Sequence, residues 1–230
     1  VGFLPGEFAL YERLTGAEML DYLAKLRGGV SRRTLSGLVD RFTVELDRPI
    51  RDLSMGNKQK LGLVQAFMHE PELLILDEPT LGLDPLVQRD FQQLVREVRK
   101  AGRTVFLSSH TLSEVERVAD RVGIIRDGAV VEVGEVSRLK ELAVRRIDFV
   151  FALPVGPSVF DGVEGVRRVE DDGREVRVEV EGSLAQVMKV AADHEVVDLH
   201  VREADLEEIF LAYYRGERGT EGGDTWLPRS

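Results

Sequence analysis

A chain of 230 residues with no cysteine and a formal net charge of −10 has room for one large domain, or for one domain and a small companion. Lacking cysteine, it can have neither a disulfide framework nor a thiolate metal site. Its acidity argues against broad attraction to nucleic acid or an anionic bilayer, and no apolar run approaches the roughly 18 residues that span a membrane.

In chain order, Val1-Gly-Phe-Leu4 reads as a strand broken by Pro5 and Gly6. Thr15 followed by Glu18 has the spacing of a capping box and predicts a helix to about Leu26. Residues 31–47 read as a surface helix, and "LDRPIRDLS" as a connection. From Asn57 to Met68, Leu61, Val64 and Met68 recur at helical spacing. Leu73–Leu76 is a short apolar run, as expected of a strand covered on both faces. Val87, Phe91, Leu94, Val95 and Val98 form one helical stripe, and "GRTVFLSSH" is a second buried strand. Strand, helix, strand at this spacing is a βαβ unit with parallel strands.

Thr111–Ala119 reads as a helix, and "VGIIRDGAVVEVG" as a hairpin turning at Asp127-Gly128. Composition then shifts. Ile147, Phe149, Phe151 and Leu153 alternate, as do Val176, Val178 and Val180. Leu184, Val187, Met188 and Ala191 suit a helix, and Val197, Leu199 and Val201 a strand. Leu206, Ile209, Phe210 and Tyr213 lie on one helical face. Residues 145–214 therefore read as a small α+β domain, and the polar, Gly-rich 215–230 as a disordered tail.

Asp77 and Glu78 sit where parallel α/β sheets bind ligands, beyond the carboxyl end of a strand. One acid suits Mg²⁺ beside substrate phosphates, and the other suits orienting or deprotonating a water. A plain strand ending in two solvated acids is the competing reading. Successive strand residues point to opposite sides, so the two acids need not share a proton. Upstream, "LSMGNKQK" puts Ser54 before a helix, with Gly56 allowing close backbone approach: either an anion site or an ordinary N-cap. His110 follows the second strand and should share the sheet edge with Asp77 and Glu78. It would contact a terminal phosphate or position water there, unless it is a structural histidine. Asp84, after "LGL", also suits a turn before Pro85.

With these motifs in this order, the chain resembles the ATPase subunit of an ATP-binding-cassette transporter. "LSMGN" resembles the family's signature motif, "LLILDE" its Walker B strand, "LGLD" its D-loop, "SSH" its histidine switch and "VGFLPGEFALYERLT" the segment around its Q-loop. The resemblance implies a P-loop NTPase-like α/β cassette over residues 1–142. Its Q-loop region would be 1–16, its helical and signature region 17–69, and its Walker B to switch region 73–120. A small C-terminal α+β domain follows.

The resemblance also implies residue roles. Asp77 would support Mg²⁺, Glu78 would be the general base, and His110 would contact the γ-phosphate. Ser54, Gly56 and Asn57 would meet ATP held by the opposite subunit, and Asp84 would cross the dimer interface. The implied cofactors are ATP and Mg²⁺. The implied partners are an integral-membrane permease and a second cassette, as a homodimer, at the cytoplasmic face of the cell membrane and without nucleic acid. The C-terminal appendage ending "DLEEIFLAYYRGE" resembles that of bacterial exporter cassettes.

The sequence also departs from the pattern. Met55 and Asn57 replace a signature Gly and Gln, and Gly6 stands near the place of the Q-loop Gln with Glu7 beside it. The phosphate loop needs G-x-x-x-x-G-K-[ST], and no Gly-Lys dipeptide occurs. We therefore expect an N-terminally truncated piece whose native form carries that loop upstream, and which hydrolyses little ATP by itself. A degenerate cassette that only completes a partner's site is the alternative. A non-transport cassette acting on nucleic acid or ribosomes fits less well, given the acidic charge.

Overall fold

The computed structural model describes residues 1–6, 10–141, 144–202, 206, 207, 209 and 210. The chain divides into two compact units, Val1–Val118 and Ala119–Ser230. The division falls upstream of the boundary expected near residue 142, so the hairpin groups with the second unit.

In the first unit, β1 (Gly2–Leu4), β2 (Leu73–Leu76) and β3 (Thr104–Leu107) form a parallel sheet in the order β1-β2-β3. Among the described residues, five α-helices accompany it: α1 (Gly16–Leu26), α2 (Arg32–Phe42), α3 (Met55–Phe67), α4 (Pro85–Lys100) and α5 (Leu112–Val118). Each of the first four starts where a side-chain oxygen satisfies an orphan N–H. Thr15 and Glu18 complete both halves of a capping box on α1. Ser31 caps α2, Ser54 caps α3, and Asp84 caps α4 with Pro85 at the first helical position. The helix expected over 31–47 stops at Phe42, because Thr43 turns left-handed at φ 48°. The helix expected from Asn57 starts two residues earlier, at Met55, because Ser54 supplies its cap.

The core lies on one side of this sheet. Leu4, Leu74 and Leu76 meet Leu61, Val64 and Phe67 of α3 and the Val87–Val98 stripe of α4, all in one buried cluster. Phe67 and Phe91 pack edge to face at 6.4 Å. Fully burying such a side chain stabilises by about 1.5–3 kcal/mol before conformational entropy is charged against it. The other sheet face departs from expectation. Phe3, Ile75 and Phe106 stand in register across it, yet Phe106 is 68% exposed and Phe3 53%. Among the described residues, α3 and α4 cover one face only, so these strands are half-buried.

In the second unit, β4 (Arg121–Arg126) and β5 (Ala129–Glu135) form the expected antiparallel hairpin. Asp127 and Gly128 both have positive φ, 51° and 78°, as a type I′ turn requires. Helix α6 (Val136–Glu141) follows. An antiparallel sheet, ordered β7-β8-β6-β9, is then built from β6 (Arg145–Phe151), β7 (Val166–Asp172), β8 (Glu175–Val180) and β9 (Val196–Arg202). Its inner face carries Ile147, Phe149, Phe151, Val176, Val178 and Val180, packed with Phe160 and with Val187 and Ala191 of α7 (Ala185–Ala192). Its outer face is a lattice of ion pairs: Arg146–Glu179, Arg177–Asp148 and Arg177–Glu170. The Asp148 carboxylate pushes the Arg177 guanidinium above its usual range. Leu153, expected to extend the alternation of β6, lies past its end and is exposed. Leu206 and Ile209 are buried as an amphipathic helix would require, while Tyr213 and 215–230 lie outside the described residues.

Candidate active site

The parallel sheet delivers its chemistry at the carboxyl ends of β2 and β3. Asp77 follows β2 and donates its N–H to Leu4 O at 2.8 Å. Its carboxylate Oδ2 accepts the N–H of Gly6 at 3.2 Å, and its Oδ1 accepts the hydroxyl of Ser108, the first residue past β3. The same Ser108 Oγ accepts the N–H of Glu78 at 3.0 Å. One hydroxyl therefore bridges the two acids. Glu78 Oε2 pairs with His110 Nδ1 at 2.9 Å. Since a carboxylate only accepts, Nδ1 carries the proton in that bond.

Glu78 has φ 45°, the left-handed region that a β-carbon disfavours. The acids were expected to diverge through strand alternation. Instead β2 ends at Leu76, and the left-handed backbone at Glu78 separates them. Asp77, Glu78 and His110 are thus brought together as their spacing predicts. The His110 side chain is 71% exposed, leaving its far edge open to a ligand.

The other candidates make structural bonds of their own. Ser54 is exposed and its Oγ accepts the Asn57 N–H at 3.2 Å. A β-carbon on Gly56 would stand 2.8 Å from the Gly82 carbonyl, so what this glycine admits here is the chain's own backbone. Asn57 is tied to Glu45, donating from Nδ2 to Oε2 at 2.9 Å and accepting the Glu45 N–H at 3.4 Å. Asp84 Oδ1 accepts N–H groups of Leu86 and Val87 at 3.0 and 3.1 Å, as the N-cap of α4. Gly6 sits against Asp77, where a β-carbon would come within 2.8 Å of Oδ2. Glu7, its neighbour in the Q-loop comparison, lies outside the described residues.

Three participants escaped sequence reasoning. Ser108 lies inside the quoted "SSH", but its hydroxyl was given no role. Gln59 is only 4% exposed, and its Nε2 donates to both the Glu78 and Pro79 carbonyls at 3.1 Å. Its signal was present: it is a polar residue on the helical face of Leu63 and Ala66, and a buried polar group calls for a partner. Thr80 is buried as well and donates to Glu114 of α5.

The donor set suits a hard cation. Among the described residues no group of three or more His, Asp or Glu could hold a metal alone. Two carboxylates beside a hydroxyl, completed by substrate phosphates and water, are nonetheless the kind of site Mg²⁺ occupies.

A family model described as "AAA domain, putative AbiEii toxin, Type IV TA system" matches residues 14–116. The bacitracin transport ATP-binding protein of Enterococcus faecalis is 44% identical over 132 residues, covering 56% of this chain and 43% of that protein. The chain thus spans less than half the length of that relative. An ABC transporter ATP-binding protein of Alkalihalophilus pseudofirmus is 33% identical over 223 residues, covering 92% of this chain and 82% of the relative. Among solved structures, the ATP-binding subunit of an ABC transporter superposes with a TM-score of 0.54 at 34% identity, covering 60% of each chain.

Proposed function

This chain belongs to the ATP-binding-cassette family of transporter ATP-binding proteins, and from that membership we propose that it supplies the hydrolytic half-site of an exporter. The α/β architecture is that of a P-loop NTPase cassette. The observation that carries the proposal is the convergence of Asp77, Glu78, Ser108 and His110 at one sheet edge. The bacitracin relative supports the exporter assignment through its named role in transport.

In this reading Glu78 is the general base. Its Oε2 is taken by His110 Nδ1–H, which leaves Oε1 to receive a proton from the attacking water. Asp77 would hold Mg²⁺, which would neutralise charge on the transferred phosphoryl group. Two donors orient Asp77, namely the Ser108 hydroxyl and the Gly6 N–H, so its oxygens are fixed before a ligand arrives. His110 faces the γ-phosphate with its exposed Nε2 edge. Ser54, exposed at the start of α3, faces ATP held by a second copy, and Asp84 lies at the same interface. The protein forms a homodimer and docks on a permease at the cytoplasmic membrane face. Among the described residues no helix is long and apolar enough to cross a membrane.

The test uses the full-length native protein with Glu78 or Glu78→Gln. Loss of the base should lower turnover about 10²-fold or more while ATP binding persists. Equal rates remove Glu78 from the mechanism. Loss of binding together with turnover would make it a ligand or folding residue instead.

A further inference from the structure

Glu78 occupies a backbone conformation that its own sequence opposes. Its φ of 45° is left-handed, which costs a side-chain-bearing residue free energy. It also precedes Pro79, and proline restricts the residue before it, disfavouring helical dihedrals there. The Glu78–Pro79 peptide has no N–H, so its surroundings can grip this link only through carbonyls and the Glu78 N–H. Gln59 grips both carbonyls, donating from one buried amide nitrogen to Glu78 O and Pro79 O at 3.1 Å each. Ser108 Oγ accepts the Glu78 N–H at 3.0 Å.

We propose that Gln59 is a positioning residue for hydrolysis: its buried amide clamps the Glu78 and Pro79 carbonyls and so holds the Glu78 carboxylate at its working angle. The clamp stands on a rigid base. Gln59 lies on α3 between Gly56, pressed against the Gly82 carbonyl, and Leu61 and Leu63, both fully buried. A thirteen-residue helix so packed does not follow a drifting loop. Without the clamp, the loop from Glu78 to Asp84 keeps its inner turns, Leu81 N–H to Glu78 O and Leu83 N–H to Thr80 O, and its tether from Thr80 to Glu114. The loop would therefore persist while losing the bond that fixes the Glu78–Pro79 link against α3. The inference rests on Glu78 being the base, and its test separates the two claims.

In the full-length native protein, Gln59→Met keeps the length of the side chain and removes the donor. Turnover should fall about tenfold or more, with the KM for ATP within about twofold, because a misplaced base costs rate and leaves nucleotide binding alone. Because Gln59 acts through Glu78, adding Gln59→Met to Glu78→Gln should change the residual rate by less than about twofold. A merely structural role would lower the rate again in that background. Wild-type turnover in Gln59→Met, or a full additional loss in the double variant, overturns the proposal. A strong loss in Glu78→Gln beside a normal Gln59→Met sinks the clamp and spares the base; normal turnover in Glu78→Gln sinks the base itself. Should Gln59→Met fail to fold, Gln59→Leu also removes the donor, with a smaller side chain, and is read by the same comparison.

Discussion

Gly56 and Gly37 both lie in helices, and alanine at the two positions should move stability in opposite directions. A β-carbon on Gly56 would stand 2.8 Å from the carbonyl oxygen of Gly82. That oxygen is backbone, in a loop held by Gln59 at one end and by the Asp84 cap at the other, so no side-chain rotation relieves the contact. Overpacking of this kind costs about 1–3 kcal/mol, while replacing a helical glycine by alanine returns up to about 1 kcal/mol, and less in the first turn. The crowding wins, and Gly56→Ala should be destabilised by about 1 kcal/mol. At Gly37, in the middle of α2, an added β-carbon meets nothing within 4 Å, so only the propensity gain remains. For a chain of this size each kcal/mol shifts the melting midpoint by about 2–4 °C. Scanning calorimetry of the full-length protein should therefore show a lower midpoint for Gly56→Ala and a higher one for Gly37→Ala. An equal rise in both would mean that the loop yields freely to α3 and that Gln59 has no rigid base.

Three further outcomes follow from the hydrogen bonds and the charges. Ser108→Ala removes a donor from Asp77 and an acceptor from the Glu78 N–H; at this partly exposed site it should lower stability in urea titration by about 1 kcal/mol. The Arg41 hydrogen bond holds the Glu97 carboxyl below its ordinary 4.5, so its contribution is present above that value and is lost as pH falls through the lower folded value. Glu97→Gln should cost at most about 1 kcal/mol near neutrality, and the gap from wild type should close in acid. Burial pushes the His69 imidazole below 6.5; its Nε2–H donates to Val1 O, and its Nδ1 is buried with no partner among the described residues. The neutral ring is therefore favoured on folding, its contribution is complete above 6.5, and it is lost as pH falls below that. His69→Gln should flatten this part of the stability profile in pH-dependent melting.

Where the sequence was legible, a repeated physical demand left a repeated mark. The α4 stripe, Val87 to Val98, is the buried face at helical period, and Thr15 with Glu18 or Asp84 before Pro85 fixes a helix start from two or three residues. Asp77, Glu78 and His110 were legible as a cluster because β2 and β3 run parallel and end together. What escaped was set by single contacts. No local pattern announces that Glu78 turns left-handed, because sterics oppose it and bonds from remote Gln59 and Ser108 impose it. Strand β7 reads "VRRVEDD", too charged to declare a buried face. It is an edge strand, where only Val166 and Val169 pack against the core. The division at Val118 falls between α5 and β4, and nothing in composition marks it.

The bonds already made within the chain decide which candidates can also serve a ligand. A serine hydroxyl has one donor and two acceptor sites, and Ser54 uses one acceptor on the Asn57 N–H. Its O–H donates to none of the described residues, so capping α3 and binding ATP from a second copy are compatible. Asn57 has spent its oxygen and one amide hydrogen on Glu45, leaving a single hydrogen. Binding through its oxygen would require breaking a bond to Glu45. Asp84 is an acceptor only, with Oδ1 committed to the first turn of α4, so any role across an interface must be to receive a donor from the second copy rather than to touch phosphate. Among the residues implied for the opposite subunit's nucleotide, Ser54 thus offers a hydroxyl at the exposed start of α3, whereas Asn57 offers one amide hydrogen on a side chain tied to Glu45. Ser54→Ala should therefore weaken dimerisation driven by ATP more than Asn57→Ala does, with helix α3 retained in both, and sedimentation of the full-length protein with ATP reads the order directly.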